Sequence, residues 1–108
     1  MSYDDDKELE LLRKVTSTEE FFRSVLVDDN LQDWSLAREF GELLTRIMPD
    51  SAVGPIVAAR ACRHLGDATA AMAALVRCRA IMSSEEAIEG EKHLLLPTLE
   101  EEERLLRP

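Results

Sequence analysis

The chain has 108 residues, 45% of them apolar and 32% charged, with a net charge of −9 and two cysteines. That length suits one domain with its own core, and the apolar fraction is too high for a disordered chain. The acidic balance repels nucleic-acid phosphates and anionic lipid, and two cysteines are too few for a secreted disulfide scaffold.

The opening MSYDDDK lacks the basic and apolar regions of a signal peptide, and no apolar run approaches the length of a membrane span. These features predict a soluble cytoplasmic protein with reduced thiols that contacts neither nucleic acid nor membrane. Four glycines, four prolines and an excess of Ala, Leu, Glu and Arg favour helix throughout.

In chain order, residues 1–7 read as a disordered acidic N-terminus and 8–108 as a single helical domain. Residues 8–15 (ELELLRKV) can form a short helix on Leu9, Leu12 and Val15. Thr16 with Glu19, and Ser17 with Glu20, fit a capping box, in which hydroxyl and carboxylate satisfy the free N–H groups of a helix start. A helix over 17–28 follows, with Phe21, Phe22, Val25 and Leu26 as its stripe.

Asp33 caps a helix over 33–48, on which Trp34, Ala37, Phe40, Leu44, Ile47 and Met48 recur at three- and four-residue steps. Pro49 stops it. Asp50 or Ser51 starts a helix over 51–65. Gly66 then fits the left-handed residue after a helix end, and Asp67 caps a helix over 67–82 carrying Ala71, Ala74, Leu75, Cys78 and Ile81. Ser83 with Glu86 predicts a further helix over 84–96, ended or kinked at Pro97. Residues 98–107 can form a last one. The short connections predict antiparallel neighbours.

Two segments repeat. DWSLAREFGELLTRIMPD (33–50) aligns with DATAAMAALVRCRAIMSS (67–84), which begins 34 residues later. Asp33 matches Asp67, Ala37 matches Ala71, Leu44 matches Cys78, Ile47 matches Ile81 and Met48 matches Met82. In this the chain resembles the tetratricopeptide repeat, whose period is the same.

The best unit is 52–85. Leu65-Gly66-Asp67 stands at the family's turn, Ala71 at its small position, Leu75 at the next large apolar one and Cys78 at the next small one. Ala58 and Ala59 replace Leu-Gly, Cys62 replaces an aromatic, and Ser83 replaces proline. The unit 18–51 keeps its second helix and the closing Pro49, with Ser24, Val25 and Asp28 departing from the pattern. The unit 86–108 keeps only helical character. The resemblance implies an all-α fold of antiparallel helix pairs stacked as a short α-solenoid, whose inner face is a groove.

Little in the sequence points to catalysis. Cys62, His64, Cys78 and His93 match no zinc spacing, and both cysteines fall on buried helix faces, where cysteine acts as a small hydrophobe. Both are expected in the seam between helices 51–65 and 67–82, near each other. Glu19, Glu20, Glu85, Glu86 and Glu100 to Glu103 lie at helix starts or in a solvated run. No Gly-rich phosphate loop occurs. The expectation is a protein that is not an enzyme and holds no cofactor or metal.

In the family register Arg60, Arg63 and His64 lie on the groove side, where peptide-binding members clamp carboxylates. Arginine suits that role through its bidentate fork. The three are expected to be solvent-accessible and to face the helix beginning near Ser83. Phe22, Leu26, Val53 and Ile56 could form an apolar floor, and ordinary core packing is the competing reading for them. Val57 stands where chaperone-binding members often place a polar residue.

The function implied is a non-catalytic interaction module, an adaptor or chaperone-like protein. It would hold a partner peptide or helix bearing acidic or C-terminal carboxylate groups. The alternative is a structural subunit whose groove is filled by its own C-terminal helix or by a second copy. Ties from Glu85, Glu86 or Glu89 of the same chain to these cations would make the cluster structural.

Overall fold

In the computed structural model, which describes residues 21–30 and 33–107, five helices follow one another, with no strand among the described residues. They are α1 (Arg23–Val27, π-helical), α2 (Trp34–Ile47), α3 (Val53–His64), α4 (Ala68–Met82) and α5 (Glu91–Leu106). The expected short helix at 8–15, the capping boxes at 16–20 and the acidic N-terminus lie outside the described residues.

Local chemistry sets α2, α3 and α4 where the sequence places them. The Asp33 carboxylate accepts the Leu36 N–H and that of Asp67 accepts the Ala70 N–H, both at 3.0 Å. Each satisfies a donor that a helix start leaves free. Gly66 has φ +81°, so the chain reverses between α3 and α4 through the left-handed region without a Cβ penalty.

The C-terminal region differs from expectation. One helix runs from Glu91 to Leu106, replacing the helix over 84–96 and the separate one over 98–107, and Pro97 lies inside it. Ser83 ends α4 instead of starting a helix. The Ser84 hydroxyl closes a local turn by accepting the Glu86 N–H, and Gly90, at φ +84°, leads into α5. Proline removes one N–H from the ladder and crowds the carbonyl of His93, one turn earlier. His93 is exposed, so water can satisfy that carbonyl.

Helices α2 and α4 begin at Trp34 and Ala68, 34 residues apart, whereas α3 and α5 begin at Val53 and Glu91, 38 apart. The second spacing is longer because the 83–90 connection delays α5.

Helix α3 is the centre of the fold. Every residue from Gly54 to Cys62 is buried, as expected of a helix whose sequence, VGPIVAARAC, is apolar or small almost all round. Val57 and Ala61 pack with Phe21, Val25, Ala37, Phe40 and Leu43. Ile56 and Ala59 pack with Leu75, Cys78, Met82, Leu95 and Leu99. The Phe21 and Phe40 rings meet edge to face at 5.0 Å.

Gly41 and Gly54 bring α2 and α3 backbone to backbone. A Cβ on Gly41 would sit 2.6 Å from the Ala58 nitrogen, and one on Gly54 would sit 2.5 Å from the Thr45 nitrogen.

Helix α5 lies along α3 in the same direction. Its first residue, Glu91, accepts hydrogen bonds from the Ser51 hydroxyl (2.8 Å) and the Ala52 N–H, capping the start of α3 from a distant part of the chain. Near its end, Glu102 reaches the last turns of α3. None of the described helices is long and apolar enough to cross a membrane.

Candidate functional site

The residues expected to receive a partner are largely committed within the chain. Arg60 is 2% exposed, which corrects the expectation of an accessible cation. Its Nε donates to Glu102 at 2.5 Å, and its Nη1 donates to the Val25 and Leu26 carbonyls, both at 3.1 Å. Those carbonyls end α1 and would otherwise lack partners. Arg60 therefore ties α1, α3 and α5 together.

Arg63 donates to both oxygens of Glu102 and, at 2.7 Å, to Asp29. Its hydrogen bonds to Glu102 hold the guanidinium further above its ordinary pKa than burial lowers it. The His64 Nε2 lies 2.6 Å from Asp29 Oδ1, and its ring stacks on Trp34, with centroids 3.9 Å apart and planes 4° from parallel.

Asp29 is the hinge of this network. At φ +50° it is the only described non-glycine residue in the left-handed region, a conformation that Asp tolerates better than most residues. Burial pushes its carboxyl up, but hydrogen bonds from His64 and Arg63 and the charges of Arg60 and Arg63 outweigh this and hold it below the usual carboxylate range.

The cations thus face Asp29 and Glu102, not the chain near Ser83. The apolar candidates also turn inward. Ile56 is fully buried, and Phe22, Leu26 and Val53 are half-buried against the two core clusters. Core packing is the better description of these four. No buried polar side-chain atom among the described residues lacks a partner. The buried polar atoms of this network are partnered within the chain.

The two cysteines are free and buried in the α3–α4 seam, but not near each other. Helices α3 and α4 run antiparallel about Gly66, so Cys62 lies close to the turn. Cys78 lies at the far end, its thiol 3.8 Å from the Ala52 carbonyl oxygen. Burial raises the pKa of Cys62 and pushes that of Cys78 up to about 12.

The surface feature that the sequence reading missed is α4. Its buried face is Ala71, Leu75, Cys78 and Met82. Its outward face carries Thr69, Met72, Ala73, Val76 and Ala80, all exposed, with Met72 at 45% and Val76 at 66%. No charged side chain interrupts this stripe, although a third of the sequence is charged. The arginines Arg77 and Arg79 border it, and α4 contains no carboxylate. Arg79 is paired with Glu103 at 2.6 Å.

Beside the stripe, a shallow cleft of about 220 Å³ opens between α2 and α4, floored by small residues that include Ala58, Cys62, Ala70 and Ala74. The run ATAAMAALVRCRAIM was the available clue, since apart from Arg77 and Arg79 it is apolar or small all round, and such a helix is normally covered on most of its faces. No known family profile, no curated protein and no solved structure matches the chain.

Proposed function

We propose that the chain is a non-catalytic protein-interaction module built of tetratricopeptide-like helix pairs, and that it receives a partner helix on the outward face of α4. One observation carries this reading. Met72 and Val76 stand exposed on a charge-free stripe about three turns long, in a chain that is otherwise densely charged. Contiguous apolar surface of this kind marks interaction sites. The self-saturated network around Arg60 supports a non-catalytic role, because its carboxylates and cations are held by one another.

A structural role for the C-terminal helix has its own support. Leu95 and Leu99 of α5 pack into the core beside Ile56, and Glu102 holds Arg60 and Arg63. On this reading α5 fills the face first expected to take a ligand, and binding moves to α4.

A photoreactive phenylalanine analogue at position 76, in the full chain expressed in its native source, tests the proposal. A defined adduct that disappears when Met72→Glu is added, with helicity unchanged, is the expected result. Adducts forming only from a probe at an exposed position of α5, such as 100, would refute it.

A further inference from the structure

We infer that the partner seated on α4 is an apolar helix edged with carboxylates, which pairs with Arg77 and inserts one large apolar side chain into the cleft between α2 and α4. This rests on the interaction reading above and specifies what the site selects.

The first argument is charge. Arg77 stands on the cleft rim, exposed, with no ion pair among the described residues. Its neighbours differ. Arg79 is neutralised by Glu103, and Arg38, on the opposite rim, is bound to Glu42 at 3.2 Å and to Asp67 at 3.7 Å. In a chain of net charge −9, Arg77 stands beside an apolar stripe with Asp50 and Glu42 lining the same clefts but neither bound to it. A partner carboxylate there gains an attraction that a neutral or basic helix does not, and a basic edge would meet Arg77 with repulsion.

The second argument is shape. Ala58, Cys62, Ala70 and Ala74 are short, so the floor lies below the flanking side chains of α2 and α4. A cavity of roughly 150 Å³ can hold a benzene ring, so the cleft has room for a Leu, Met or Phe side chain. A small-floored cleft next to an apolar stripe is the geometry of helix-in-groove recognition.

A second copy fits less well. Pairing two α4 faces would bring Arg77 of both copies together with no carboxylate of α4 to offset them.

The test uses the full chain and two synthetic helical peptides with the same leucine seam, one flanked by glutamates and the other by lysines. Binding is followed by amide NMR shifts at low and moderate salt. The expected result is preferential binding of the glutamate-flanked peptide, with shifts at Ala58, Cys62, Ala70 and Ala74. The preference should weaken with salt, and Arg77→Glu should shift it by about tenfold toward the lysine-flanked peptide.

Equal binding of the two peptides, or shifts confined to Met72 and Val76, would overturn the carboxylate and cleft inference while leaving α4 as the interaction face. Binding of neither peptide to α4, or concentration-dependent self-association abolished by Val76→Glu, would overturn the inference. The first of these two outcomes would also remove the interaction reading.

Discussion

Arg60 and Glu102 form a buried ion pair, 2.5 Å between Nε and Oε1, with exposures of 2% and 0%. Neither charge can return to water without opening the α3–α5 interface. Removing one partner of such a pair leaves an uncompensated buried charge, at a cost of about 3–5 kcal/mol. Glu102→Ala should therefore lower the urea midpoint sharply. The Arg60→Met, Glu102→Leu double variant should cost less than the sum of its two single changes, with a coupling of about 0.5–3 kcal/mol. A coupling near zero would mean that the two side chains stabilise the fold independently.

Arg60 was misread from the sequence for a definable reason. Positions 60, 63 and 64 share a helical edge, and nothing local distinguishes an exposed cation from one held by a distant carboxylate. The partner was hidden in the run EEEE at 100–103. A clue existed there. Once the last helix is allowed to continue through Pro97, Leu95, Leu99, Glu102 and Leu106 fall at i, i+4, i+7 and i+11, which places Glu102 on the apolar stripe. Treating Pro97 as a helix end hid that pattern. The bounds of α2, α3 and α4 were legible to within a residue or two because Asp33, Pro49, Gly66 and Asp67 act within their own turns. The start of α5 was not, since Gly90 supplies no side-chain cap and Glu91 serves α3 instead.

The glycines separate steric from conformational cost. A Cβ at Gly41 or Gly54 would press on backbone atoms of the facing helix, which cannot rotate away. Gly41→Ala and Gly54→Ala should each lower stability by about 1–3 kcal/mol or more, as overpacking does. At Gly66 nothing lies within 4 Å of the added carbon. A β-branched residue there should cost about 1–2 kcal/mol through left-handed strain alone. Urea melts of the three variants check the order, and a Gly54→Ala protein as stable as the parent would show that α2 and α3 can separate freely.

Asp29 gives the fold an acid sensitivity of known sign. Its carboxyl is held below the unfolded reference of 3.8. A depressed carboxylate contributes stability that is present above the unfolded pKa and is lost as pH falls through the folded one. Asn tolerates the left-handed backbone as Asp does, so Asp29→Asn removes the charge while sparing the turn. The variant should be less stable than the parent at pH 6, and the difference should shrink on acidification below about pH 4. Chemical denaturation at pH 6, 4 and 3 measures this. A constant difference would assign the loss to packing.

The cysteines report on two ends of one seam. The thiolate is the reactive form, and burial raises the pKa of both thiols, that of Cys78 to about 12. Reaction with an aromatic disulfide reagent at pH 8 should therefore be slow in the native protein and fast in urea. The two sites should still differ. Cys62 lies next to the α3–α4 turn and borders the α2–α4 cleft, so a local opening of that end exposes it. Cys78 lies at the other end, against Ala52 beneath Leu95 and Leu99, and its exposure requires α5 to detach. Cys62→Ala, which leaves only Cys78, should label more slowly than Cys78→Ala, and its rate should follow global stability as urea is raised. Adding Glu102→Ala, which loosens α5, should speed Cys78 labelling more than Cys62 labelling. Equal acceleration at both positions would show that α5 detaches only when the whole domain unfolds.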